Sequence, residues 1–182
     1  MSLNINQNRN DKKYPLKEQV LRVFWSLGKI VFLLTPRPMF GLRRFILRLF
    51  GAKIGKKVYI YPSTKIYFPW KFSISDWSAI GENALIYNLG EVKIGKKATI
   101  SHNAHICAGT HDYTDVTLPL QKPAIQIEDQ VWIAADAFIG PGVTIGEGAV
   151  IGARATVFKD ISPWSVVGGN PARFIKKREI NE

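Results

Sequence analysis

The sequence predicts an all-β core, a parallel β-helix of hexapeptide repeats with a helical segment in front of it. Three observations carry this. Isoleucine or valine recurs at every sixth position: Ile54, Ile60, Ile66, then Ile74, Ile80, Ile86, then Ile94, Ile100, Ile106, then Ile127, Ile133, Ile139, Ile145, Ile151 and Val157. Four residues after many of these stands a second small or β-branched residue, as at Ala98, Ala104, Thr110, Val131, Ala137, Val143, Ala149 and Ala155. Glycine often follows the aliphatic residue directly, as at Gly55, Gly81, Gly95, Gly140, Gly146 and Gly152. Apolar positions six apart advance by about 600° on an α-helix and leave no stripe, so an amphipathic helix is excluded. Short flat strands joined by tight corners fit the pattern. Three hexapeptides, about 18 residues, complete a triangular coil, which sets Ile127 beneath Ile145, Ile133 beneath Ile151 and Ile139 beneath Val157 at a strand spacing of about 4.8 Å. Each coil buries its centre only against the next.

In chain order, residues 1–52 form a basic, partly helical segment. At 182 residues the chain suits one domain and an appendage. Residues 1–57 hold 13 Lys/Arg against 2 Asp/Glu, and the remaining residues hold 12 of each, so the net charge of +11 belongs to the N-terminal third. That argues against a nucleic-acid-binding core and for an appendage facing something anionic. The run VLRVFWSLGKIVFLL, Val20 to Leu34, is too short for a comfortable membrane span, contains Arg22 and Lys29, and meets Pro36 and Pro38 rather than a signal cleavage site. Val20, Phe24, Gly28 and Val31 share one helical face, with Leu27 and Leu34 beside it. Two readings follow. The helix packs on its own protein or oligomer, or it lies on an anionic membrane together with LRRFILRLF, Leu42 to Phe50.

The β-helix occupies residues 53–168, and a tail, expected to hold a short helix, occupies 169–182. The glycines of GEVKIGKK (Gly90 to Lys97) and GEGAVIG (Gly146 to Gly152) echo nucleotide-binding motifs, but neither sits in a strand–helix unit, and the repeat accounts for them. The single cysteine, Cys107, excludes an internal disulfide.

The repeat breaks once. Ile106 opens a hexapeptide that ends at His111, and a loop, residues 112–123, leaves the coil before the series resumes at Ile127. Loops on rigid scaffolds commonly carry sites. His111 is the fifth residue after an inward isoleucine, and the phase of Ile106 and Thr110 turns it outward near a corner. An outward imidazole, which titrates near neutrality, can remove a proton from a hydroxyl.

The hexapeptides, THDYTD at the interruption, YNLGEVKIG within the repeat and PWSVVGGNPARFIKKR at the end together resemble the left-handed β-helix acetyltransferases, most nearly the colanic-acid biosynthesis O-acetyltransferases. The likeness covers nearly the whole chain, including TPRPMFGLRRFILRLFGAKIG before the repeat. It implies left-handed coils, acetyl-CoA as co-substrate, a homotrimer with sites between neighbouring coils, and a sugar or glycolipid acceptor in exopolysaccharide or capsule synthesis. Such an enzyme works in the cytoplasm or at the inner face of the membrane, with residues 1–57 as a peripheral contact. It further implies that His111 is the general base for direct transfer without an acyl-enzyme, with Cys107 structural.

By the same resemblance Asn88 lies in the acceptor pocket, although an asparagine also suits a corner. Asp112, Tyr113 and Asp115 orient His111 or meet a sugar hydroxyl. Trp132 walls the thioester channel or packs between subunits. Ala135 stands where some relatives carry a serine, which leaves main-chain N–H groups for the oxyanion. CoA contacts fall on Ala153, Phe158, Lys159, Arg173 and Lys176. Phe158 replaces a threonine, and Arg173 and Lys176, one helical turn apart, suit the phosphates. No metal is expected. His102, His105 and His111 differ in phase and do not complete the histidine set of a γ-type carbonic anhydrase, which shares the fold. Two rival functions stay open, an N-acetyltransferase acting on an amino sugar and a non-catalytic scaffold held at the membrane.

Overall fold

The computed structural model describes residues 3–181. Three parallel sheets form the faces of a left-handed prism of about six coils. Face one stacks Lys53–Ile54, Phe72–Ile74, Val92–Ile94, Ile125–Ile127 and Thr144–Ile145. Face two stacks Tyr59–Ile60, Ala79–Ile80, Thr99–Ile100, Trp132–Ile133, Val150–Ile151 and Ser165–Gly168. Face three stacks Lys65–Ile66, Leu85–Tyr87, His105–Cys107, Phe138–Ile139 and Thr156–Val157. The registers follow the sequence period: Ile127 pairs with Ile145, Ile133 with Ile151, and Ile139 with Val157. All of these side chains are buried on the axis. Each such isoleucine removed from water contributes about 1.5–3 kcal/mol.

The repeat glycines have two separate causes. Those directly after the inward aliphatic residue are close-approach positions. A Cβ at Gly95 would lie 2.6 Å from the Asp129 nitrogen on the next coil. The corners instead need a left-handed residue just before the second inward position. Gly142 (φ +78°) and Gly148 (φ +66°) supply it, and elsewhere Lys97, Asn103, Gln130, Asp136 and Arg154 adopt it without glycine.

The basic N-terminal segment caps the open end of the prism. Inside the stack, the carbonyls of Ile74, Ile80 and Ile86 accept from Gly55, Tyr61 and Tyr67 of the preceding coil. The equivalent carbonyls of the first coil have no preceding coil. Arg48 donates to Ile54 O (2.7 Å), Arg43 to Ile60 O (2.6 Å) and the Trp25 indole to Ile66 O (2.9 Å). Arg44 takes Val58 O at 2.9 Å. Thus helices α2 (Leu16–Leu34) and α3 (Phe40–Leu49) replace the missing coil, and part of the N-terminal charge is used inside the protein. In α2, Trp25 and Phe32 pack inward, whereas Val20, Phe24, Leu27, Val31 and Leu34 remain exposed. Of the face expected to pack, only Gly28 packs on the chain itself, against Phe50, and its apolar side chains point outward.

The expected C-terminal helix does not form. Arg173–Lys177 is a strand, antiparallel to Ser165–Gly168. The last strand of face two would otherwise present an unpaired edge, and the returning tail covers it.

Candidate active site

The interruption is a β-hairpin at the edge between faces three and one. Thr110–His111 pairs antiparallel with Leu120–Gln121, His111 opposite Leu120. The chain leaves the coil earlier than the repeat predicts, because Ala108 takes the inward position and Thr110 is only half-buried on the hairpin. His111 is exposed as expected, but because it stands on the hairpin rather than at a phase of the repeat.

One contact fixes the imidazole. Nδ1 lies 2.7 Å from the carbonyl oxygen of Leu118 across the hairpin. A carbonyl only accepts, so Nδ1 carries the proton and Nε2 holds the free lone pair. Leu118 has a left-handed backbone (φ +47°), which helps aim that carbonyl. A main-chain acceptor leaves no side-chain signal, and sequence reasoning missed it.

Asp112 and Asp115 do other work. The Asp112 carboxylate accepts from the hydroxyl (2.6 Å) and N–H (3.0 Å) of Thr114, and Asp115 accepts from the N–H and hydroxyl of Thr117, both at 2.7 Å. These bonds hold both carboxyls below the ordinary aspartate range. The two aspartates build the turn, and neither is bonded to His111. Tyr113 projects from the tip, 86 % exposed.

Asn88 is wholly buried. Its Oδ1 accepts from Tyr67 N–H (3.2 Å) and Phe68 N–H (3.0 Å), and its Nδ2 donates to Phe68 O at 2.6 Å. These three bonds tie its amide to the corner at Phe68. Asn88 holds that corner without the left-handed backbone that a corner asparagine suggests.

The residues expected around CoA fall on different parts of the prism. Ala135 and Ala153 lie one coil apart at the edge between faces two and three, bridged by Arg154 N–H donating to Ala135 O (2.9 Å). Phe158 and Lys159 lie on the same edge as the His111 hairpin, two coils further, about 10 Å along the axis. Trp132 stands half-exposed on face two and donates its indole N–H to Ser101 Oγ at 3.0 Å. Arg173 and Lys176 are exposed on the terminal strand, opposite Gly168 and Val166, with a register shift between them. They are not one helical turn apart. A single chain therefore spreads these groups over two edges and a face.

His102, His105 and His111 do not converge. His105 is wedged between Tyr87 and Phe138, and burial pushes its pKa down. Cys107 is half-buried and burial pushes its thiol up, which suits a structural role. Among the described residues no three His, Cys, Asp or Glu side chains are grouped to hold a metal.

Known proteins share this fold. The bacterial transferase hexapeptide (six repeats) family profile matches residues 124–159. The colanic acid biosynthesis acetyltransferase WcaF of Escherichia coli (strain K12) is 41 % identical over 162 residues, 89 % of each chain. A maltose O-acetyltransferase from Clostridium difficile 630 superposes with TM-score 0.80 at 27 % identity, covering 92 % of both chains. The hexapeptide-repeat acetyltransferase VCA0836 of Vibrio cholerae, solved with acetyl-coenzyme A, shares the fold at TM-score 0.84 and 24 % identity, covering 96 % of each chain. With 41 % identity to one acetyltransferase over nearly the full length and the same coiled architecture as others, the chain belongs to the bacterial hexapeptide-repeat acetyltransferase family.

Proposed function

We propose that the chain moves an acetyl group from acetyl-CoA to a hydroxyl of a sugar or glycolipid destined for exopolysaccharide or capsule, with His111 as general base. The observation that carries this reading is the exposed imidazole whose Nδ1–H is engaged by Leu118 O, leaving Nε2 to accept a proton. The acceptor hydroxyl gives its proton to Nε2 as its oxygen attacks the thioester carbonyl carbon. The tetrahedral intermediate collapses with cleavage of the C–S bond, and the imidazolium returns the proton to the leaving sulfur. Ala135 offers no hydroxyl, so main-chain N–H groups stabilise the oxyanion, each worth roughly 3–4 kcal/mol.

A neighbouring copy completes each site. His111 occupies one edge of the prism while Ala135 and Ala153 occupy another, so a groove between neighbours in a homotrimer brings the two together. Trp132, Phe158 and Lys159 line the CoA channel, and Arg173 and Lys176 offer charge to its phosphates. Tyr113, Asp112 and Asp115 reach the acceptor from the hairpin. The WcaF similarity supports a polysaccharide pathway, and the maltose enzyme supports a sugar hydroxyl. The exposed stripe Val20, Phe24, Leu27, Val31 and Leu34 supports peripheral contact with an anionic membrane, where lipid-linked acceptors reside. No helix among the described residues is long and apolar enough to cross one.

The test is acetyl transfer to a panel of hydroxyl and amino sugars by wild type and His111→Ala. Transfer to a hydroxyl that falls by ~10²–10⁴ in the variant supports the proposal. Wild-type turnover in a folded His111→Ala protein overturns the base, and exclusive transfer to amines overturns the acceptor class.

A further inference from the structure

We propose that Asn8 is a positioning residue for His111: from the N-terminal helix it holds the carbonyl that fixes the imidazole. The proposal rests on His111 as the general base.

Helix α1 (Ile5–Asn10) lies against the hairpin, more than a hundred residues away in sequence. Asn8 is the buried residue of this helix, 5 % exposed. Its Nδ2 donates to Leu118 O at 2.5 Å and to Thr117 O at 2.7 Å. The Lys13 ammonium donates to its Oδ1 at 2.8 Å. An ammonium only donates, so the amide orientation is fixed with both N–H groups toward the hairpin. Asn4 N–H takes the preceding carbonyl, Val116 O, at 2.7 Å. Three successive hairpin carbonyls thus receive donors from the N-terminal segment. Lys122 fastens the other side, donating to Lys13 O at 2.6 Å.

The third of those carbonyls is the one His111 uses. Leu118 O accepts from both Asn8 Nδ2 and His111 Nδ1. Leu118 sits in a left-handed conformation that a leucine rarely adopts, and such a conformation persists only where the surroundings over-determine it. Asp115 O, which accepts from Leu118 N–H at 3.0 Å, holds one side of this residue, and Asn8 holds its carbonyl. Without Asn8 the 118–119 peptide, which carries the Leu118 carbonyl, is free to rotate, the carbonyl leaves Nδ1, and the proton can move to Nε2, the nitrogen that must be free to act as base. Outer partners of this kind fix the tautomer and direction of a functional histidine. The shape of Asn8 is not the requirement; its two donors are.

The test uses full-length Asn8→Ala and the isosteric Asn8→Asp, with His111→Ala as reference. Three readouts are taken: kcat and KM for acetyl-CoA, the ¹⁵N shifts of the His111 ring, and the thermal midpoint. Both Asn8 variants are expected to lower kcat about tenfold, part of the ~10²–10⁴ a placed base supplies, with KM within about twofold. The ring shifts move from a single Nδ1–H tautomer to a mixture. A wild-type tautomer with wild-type kcat in Asn8→Asp overturns the proposal, because the aspartate keeps the shape and removes both donors. Loss of kcat with an unchanged tautomer also overturns it, since the effect then comes from packing. If His111→Ala retains full turnover, the base assignment fails, and the ring shifts still report on the Asn8 contact by themselves.

Discussion

Replacing Arg43 by methionine tests whether the N-terminal helices substitute for a missing coil. The guanidinium is 0 % exposed and donates to Ile60 O (2.6 Å), Thr35 Oγ1 (2.8 Å), Pro36 O (2.9 Å) and Arg37 O (2.6 Å), with no carboxylate among its partners. Methionine keeps most of the stem and removes every donor. Pro36 and Arg37 lie at the exposed turn, where water can replace the lost bonds. Ile60 and Thr35 are buried, and each orphaned buried acceptor costs about 1–3 kcal/mol. Against this, burial lowers the Arg43 pKa, and the variant recovers that desolvation cost. A net loss of about 3 kcal/mol follows, or roughly 6–12 °C in thermal midpoint for a chain of this size. Urea unfolding followed by tryptophan fluorescence, to which Trp25 on the neighbouring carbonyl contributes, measures it. Arg43→Lys keeps the charge with fewer donors and should fall between. An Arg43→Met protein as stable as wild type, or more so, would refute the capping account, because the buried charge would then cost as much as its bonds contribute.

Two more outcomes follow from the packing. Glu18 is buried, which raises its pKa, but the Lys71 ammonium at 2.6 Å and the Trp70 indole N–H outweigh this and leave it below the ordinary value of 4.5. Folding therefore favours the carboxylate. Its contribution is full above the unfolded pKa and is lost as pH falls through the depressed folded value. Glu18→Gln should cost about 1–2 kcal/mol at neutral pH and flatten the acid side of the stability curve, read by urea midpoints from neutral pH down through that range; a parallel, unshifted curve would contradict the pairing. Gly95→Ala places a methyl 2.6 Å from the Asp129 nitrogen, and overpacking of this kind costs about 1–3 kcal/mol by chemical unfolding; a neutral result would show that adjacent coils can part.

Much of the molecule is legible in the residue order, and the limits have physical causes. The six-residue period fixes which side chains face the axis, because an aliphatic residue at each position has nowhere else to hide. It therefore determines the stacking registers and brackets the stretch in which the coil opens and His111 leaves it. The roles of Asn88 and the tail escape the period for one reason, that a hydrogen bond depends on what stands opposite. Asn88 is consumed by the main chain of Phe68, and Arg173–Lys177 becomes a strand because an unpaired edge lies beside it. The arginines at 43, 44 and 48 look like surface charge along the chain, and only the folded end of the prism reveals the carbonyls that claim them.

Local periodicity, which each residue carries in its own polarity, determined the β-helix, and its one break marked the histidine, by sequence alone. The tertiary structure decided what fixes that histidine. Leu118 O is a main-chain group on the far side of a hairpin, and Asn8 reaches it across 110 residues, a distance over which sequence holds no pattern.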